Sequence, residues 1–200
     1  MPNYKFDLRD LQQLKKQYED ADVEQALAWA LDGSTGKAAT LISRNTRSHY
    51  TVKAADIKKR LKIHRHRRDP QRALLYTGRR LPLVQFSPRQ RWVPVNPNRT
   101  VRSGPRKGSK MRRRGVTVRV RKDKPRQLVQ GGWHAKGHIL RRKDRGDNAS
   151  QPIMRFGPSI PEMVANPSVI EAAQDLVRRD LPEQFSNRLE YILNRKAGRL

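Results

Sequence analysis

Two hundred residues carrying 45 Lys and Arg against 18 Asp and Glu have a formal net charge of +27, which calls for an anionic partner, nucleic acid or acidic protein. An apolar content of 35% suits one domain with a modest core. The lack of cysteine excludes disulfides, thiolate nucleophiles and Cys-based metal sites. No run approaches the ~18–20 apolar residues of a membrane-spanning helix, and the start MPNYKFDLRD lacks the apolar core of a secretory signal, so a cytosolic protein, or one carried in a particle assembled there, is expected.

Leu8, Leu11 and Leu14, extended by Tyr4 and Tyr18, predict a short amphipathic helix over residues 7–18. Asp22, with Gln25 three residues on, reads as the N-cap of a second helix lined by Val23, Ala26, Leu27, Ala30 and Leu31. Gly33 and Gly36 each cost a helix about 1 kcal/mol relative to Ala, so a kink or break is expected before Ala38, Ala39, Leu41 and Ile42 resume the face. Thr51 reads as the N-cap of VKAADIKKRL, with Ile57 among the inward residues and Lys58, Lys59, Arg60 and Lys62 outward.

Beyond Pro70 the period changes. ALLYTG, LPLVQF, RWVPV and GVTVRVR are short, β-rich and bounded by Gly, Pro or Asn, which predicts antiparallel strands. Strict alternation puts Val116, Val118 and Val120 on a packed face and Thr117, Arg119 and Arg121 on a charged one. Leu128-Val129, Trp133 and His138-Ile139-Leu140 are expected to supply one or two more strands. Between RWVPV and VTVRV lie about twenty residues with no apolar pattern, long for a compact domain and so read as an arm or functional loop; residues 141–152 resemble it. Asn166-Pro167 then starts a helix with Pro at its first position, carrying the stripe Val169, Ala172, Ala173, Leu176 and Val177 and on to Phe185, Leu189, Ile192 and Leu193. Pro182 interrupts the pattern and is expected to kink or split this helix.

The basic charge is local. Residues 33–145 hold 34 basic and 4 acidic groups, a surplus of 30, and the stretch Arg99–Arg145 alone holds 18 against 2, Asp123 and Asp144. Arg106, Lys107, Lys110, Arg112, Arg113 and Arg114 sit among Gly, Ser and Pro, where a mobile arm would follow phosphates without reading bases; Arg119 and Arg121 join them from the charged strand face as candidate nucleic-acid-binding residues. Trp92 and Trp133 either stack on bases or anchor a core.

Catalytic patterns are missing. GSTGK at Gly33–Lys37 has Leu31 where a phosphate-binding loop needs its first glycine and Ala38 where it needs Ser or Thr. The pairs His64/His66 and His134/His138 lie among cations that repel a divalent metal, no G-x-S-x-G elbow occurs, and Asp56, Asp69, Asp123 and Asp144 are too dispersed for a nuclease. No enzyme activity, metal or cofactor is expected.

An Ala-rich helical start, YTVKAADIKKRLKI at Tyr50–Ile63, an Arg-loaded strand region, the turn FGPSIPEMV at Phe156–Val164 and a closing helix with LPEQFSNRLEYIL follow one another in an order that resembles the minor tail protein Z family of long-tailed bacteriophages, related to tail-completion proteins of the head–tail neck. Gly157 and the two prolines of GPSIP fix the turn into the last helix. The resemblance spans nearly the whole chain. It implies a structural virion protein of α+β fold, a single domain over residues 1–200 with helices from both ends packed on an antiparallel β-sheet and basic loops at 99–115 and 141–152. It further implies a homo-oligomeric, usually hexameric ring at the head-proximal end of the tail. The neighbours would be the tail terminator or tube protein, the head connector and the end of the tape measure protein, with DNA bound non-specifically, no membrane involved, and assembly in the host cytoplasm.

In a six-membered ring about 40 Å thick, duplex DNA would bring about 24 negative charges against about 180 positive ones (6 × 30) from the middle segments, so part of the basic surface must meet acidic neighbours or solvent. The alternative read from composition is a ribosomal or other RNA-binding protein.

Overall fold

The computed structural model describes residues 19–65, 70–94, 100–144, 147 and 149–198; the helix expected over 7–18, as well as His66 and Asp69, lies outside them. In chain order the elements are α1 (Asp20–His49), α2 (Ala54–Arg60), β1 (Leu61–Arg65), β2 (Arg72–Tyr76), a 3-10 turn (Leu83–Gln85), β3 (Arg89–Pro94), β4 (Arg112–Val118), β5 (Gln127–Val129), β6 (Gly132–Ala135), β7 (His138–Arg142), β8 (Pro152–Met154), α3 (Ile160–Val164) and α4 (Pro167–Lys196). The class is α+β, as expected. Its strands are all antiparallel and fall into three small sheets, β1-β2, β3-β4-β5 and β6-β7-β8. Two compact units result: Met1–Ser43, Leu61–Tyr76 and Asn166–Leu200 form the first, Arg44–Arg60 and Thr77–Ala165 the second.

The first unit is built on α1 and α4. Val23, Ala26, Leu189 and Ile192 are buried together, with Trp29, Phe185 and Leu193 packed on them. Polar clamps extend the seam in both directions. Lys196 Nζ donates to Glu19 Oε2 at 2.7 Å and to Asp22 Oδ2 at 2.8 Å, while Ser34 Oγ donates to Asp180 Oδ2 at 2.8 Å and Lys37 Nζ pairs with Asp180 Oδ1. Early residues of α1 thus meet late residues of α4, and the helices run antiparallel.

Asp22 is not the expected cap, and of the kink or break expected at Gly33 and Gly36 and the kink or split expected at Pro182, the break and the split do not occur. α1 is one unbroken helix through Gly33 and Gly36, because the buried Ser34 between them is fastened to Asp180 and Gly33 lies against Gln184. Asp22 does not cap α1. The first helical bonds run to the Glu19 carbonyl, and the Asp22 carboxylate, 8% exposed, is turned to Lys196 instead. α4 continues unsplit across Pro182, which stands between the buried Leu181 and the half-buried Gln184. Its start is as read: Asn166 caps it through the Ser168 N–H, with Pro167 at the first position. The β1-β2 hairpin is tied to α1 by Asp32, which takes Arg72 Nε at 2.6 Å and Arg65 Nε at 3.3 Å.

In the second unit Ile57, Leu81, Leu83, Phe86, Val116, Val118, Ile139, Ile160, Met163 and Val164 are buried. LPLVQF is not the strand its composition predicts: Pro82 opens a 3-10 turn, and the segment is held by Phe156–Pro158. The Gly157 N–H donates to the Leu81 carbonyl at 2.8 Å and the Leu83 N–H to the Arg155 carbonyl at 3.0 Å. Ser159 and Glu162 then close a capping box at the start of α3, satisfying two otherwise orphaned N–H groups. Thr51 likewise does not cap a helix. Its N–H donates to the Val120 carbonyl at 2.9 Å and the Lys122 N–H to the His49 carbonyl at 2.8 Å, so the chain leaving α1 pairs through Tyr50 with Arg121. On β4 the expected split into packed and charged faces ends early. Thr117 is buried as well as Val116 and Val118, its hydroxyl donating to the Arg89 carbonyl at 3.1 Å, and the strand stops before Arg119.

Candidate nucleic-acid interface

β3 and β4 pair from Arg89↔Thr117 to Pro94↔Arg112. Pleating puts directly opposed residues on the same side. One face therefore carries Arg89, Arg91, Val93, Arg113 and Gly115, and the other Gln90, Trp92, Arg112, Arg114 and Val116. Gly115 is required by close approach: a Cβ there would lie 2.6 Å from Val93 Cγ2. Past the paired strands, Thr100 and Lys110 form a further β-bridge. Between them the Val101 N–H donates to the Ser109 carbonyl at 2.9 Å, the Gly108 N–H to the Val101 carbonyl at 3.0 Å and the Lys107 N–H to the Gly104 carbonyl at 3.0 Å. Gly104 (φ 82°) and Gly108 (φ 85°) supply the left-handed backbone of this turn.

From residue 100 onward the segment expected as a patternless arm is thus the distal part of a β-ribbon. Arg112, Arg113 and Arg114 are strand residues, Lys110 is at the bridge, and Arg106 and Lys107 are in the closed turn. All six are exposed, and among the described residues none has an acidic partner. Arg91, exposed on the ribbon, was not singled out from sequence; the Arg–Gln–Arg–Trp run at 89–92 was the available signal. Trp92 is 59% exposed, with the Arg114 guanidinium 5.8 Å from its ring centre, a cation–π pair across the two strands. Trp133 is half-buried beneath Arg142, 5.5 Å away.

The last two expected residues lie elsewhere. Arg119, just past β4, points a guanidinium nitrogen at the Lys122 carbonyl. Arg121 is held by Asp123 through Nε at 3.0 Å and Nη2 at 2.7 Å and lies over the Tyr50 ring at 5.9 Å. The hydrogen bonds from Arg121 hold the Asp123 carboxyl below the usual carboxylate range. Among the described residues no three His, Asp or Glu side chains gather as a metal site; His134 is exposed on β6 and His138 half-buried on β7.

A family model described as prophage minor tail protein Z matches residues 5–198. The chain belongs to the prophage minor tail protein Z family. No curated protein and no solved structure matches it. As a minor tail protein Z it is a structural component of a bacteriophage tail. Two of the sequences that carried the resemblance now have physical roles in this minor tail protein: YTVKAADIKKRLKI spans the Tyr50–Arg121 bridge, α2 and the first strand of the hairpin, and FGPSIPEMV is the segment that holds the 3-10 turn and caps α3. Among the described residues no helix is long and apolar enough to cross a membrane.

Proposed function

We propose that this minor tail protein completes the head-proximal end of a long tail as a homo-oligomeric, hexameric ring and joins the tail terminator or tube protein to the head connector, beside the end of the tape measure protein. The basic ribbon turns toward DNA, which it contacts non-specifically, and toward acidic surfaces of neighbouring rings.

What supports this reading is a ribbon basic on both faces, Arg91 and Arg113 on one and Arg112 and Arg114 on the other, continued by Arg106, Lys107 and Lys110 at its tip. A ribbon charged on one face suits a channel wall, whereas one charged on both suits insertion between two anionic surfaces. Such a ribbon offers positive charge along phosphates, which is the chemistry of sequence-independent contact.

Peptide mass spectrometry across a density gradient of a lysate tests it. Six copies per filled, tailed particle are expected. Absence from particles, or migration with ribosomes, overturns the proposal and moves the basic ribbon to RNA.

A further inference from the structure

At the base of the ribbon a concavity of about 520 Å³ is lined by Thr51, Ser87, Pro88, Arg89, Arg119, Lys122 and Arg126. Four of its seven lining residues are cations and none is an acid. They come from the start of β3, the segment after β4 and the approach to β5, so the fold gathers charges that are up to 37 residues apart in sequence (126 − 89). The nearest acid in sequence, Asp123, is engaged by both Nε and Nη2 of Arg121 and is not available to them. Asp56 lines a separate, adjoining concavity that shares Thr51 and Ser87.

We propose that this concavity is a binding site for a phosphate-class oxyanion. Gathered cations repel one another, and the local fold holds them together without an internal counter-charge among the described residues. Arg126 is kept in place by donating to the Ser87 carbonyl, its buried Nε has no hydrogen-bond partner among the described residues, and burial followed by the charges of Arg89 and Arg119 makes its protonation less favourable than usual. Ser87 itself sits at φ 46°, a conformation uncommon outside glycine that is seen where a loop is shaped around a ligand. The hydroxyls of Thr51 and Ser87 add neutral donors. Three guanidinium groups, an ammonium and two hydroxyls suit a tetrahedral, multiply charged oxyanion better than a singly charged carboxylate, which one Arg already satisfies bidentately. A backbone phosphate of DNA and a free phosphate share that chemistry. The proposal stands or falls independently of the ring reading.

Inorganic phosphate is titrated into the full chain at constant ionic strength and the apparent affinity followed by thermal shift. Arg89→Gln/Lys122→Gln removes two exposed charges whose side chains make no described bond, so folding is preserved. Lys58→Gln/Lys59→Gln removes the same charge from an exposed part of α2, outside both the lining of the concavity and the ribbon. Phosphate affinity is expected to fall about tenfold or more in the first variant and to change less than about twofold in the second. Equal losses in both, or no saturable binding by the parent chain, overturn the proposal. In competition, a short DNA duplex that displaces phosphate identifies a backbone phosphate as the natural occupant, and failure to displace it identifies a free one. Displacement by an acidic peptide but not by duplex overturns the phosphate assignment in favour of a protein carboxylate.

Discussion

Gly157 shows how a single position can be conformationally ordinary and still intolerant. A Cβ built on it would lie 2.6 Å from Cε2 of Phe86, a fully buried ring. Gly157→Ala is therefore expected to destabilise by about 1–3 kcal/mol through overpacking, read as a lower urea midpoint, and Phe86→Leu in the same chain should recover part of that loss. The sequence marks Gly157 as a turn residue, but the need is for space against a ring seventy-one positions earlier (157 − 86), which no local pattern reveals. Asp180 makes a second residue-scale case. The Lys37 hydrogen bond, reinforced by Ser34 and opposed by desolvation, holds its carboxyl below the usual carboxylate range. The native state thus keeps this proton off where the unfolded chain, near pH 3.9, takes it up. The associated stability is complete above that value and is lost as pH falls through the folded one. Asp180→Asn should be less stable than the parent at pH 7 and lose stability less steeply below about pH 4, in urea titrations at each pH.

At the scale of elements, what was legible tracked burial. α4 carries its apolar stripe in the sequence, and β2, β3 and β5 to β7 fall where β-rich runs placed them. β1 did not, because only Leu61 is even half-buried and Lys62 to Arg65 are exposed. Pairing with β2, and not an alternating pattern, makes it a strand. The same holds for Arg112 to Arg114, whose strand character comes from β3 opposite. α1 runs on through its glycines for a complementary reason: Ser34 and Lys37 meet Asp180 across 146 and 143 residues of chain, so GSTGK does bind an anion, a carboxylate of its own protein. Pro182 in α4 removes one helical hydrogen bond and crowds the preceding turn, a cost of about 3 kcal/mol in a helix interior, partly offset by a stiffer unfolded chain. Pro182→Ala should raise stability by about 2 kcal/mol, seen as a higher urea midpoint with an unchanged slope.

For the whole molecule, charge and topology set the expectations. The ribbon's exposed cations supply only part of the surplus of 30 in residues 33–145, yet they are the part best placed to follow a polyanion. If they do, binding to non-specific duplex falls with salt on a log–log slope that Arg106→Gln/Lys107→Gln/Lys110→Gln makes shallower by about 2–3; a slope unchanged by the triple substitution would show that the tip does not touch DNA. The basic concavity at the ribbon's base is illegible in the sequence for a topological reason: Arg119, Lys122 and Arg126 share the connection between β4 and β5, but Arg89 joins them from the start of β3, and no local spacing announces that meeting. Topology acts on time as well. The first unit is assembled from three stretches of chain, and the apolar face of α1 at Val23 and Ala26 is covered by Leu189 and Ile192. At 5–20 residues per second, translation leaves that face without its partner for roughly 10–30 s, during which the nascent chain needs shelter. A chain whose synthesis stops short of Leu189 never acquires the cover. The seam between the two long helices therefore closes only after most of the chain has been made, which ties the folding of the first unit to the last stretch of translation.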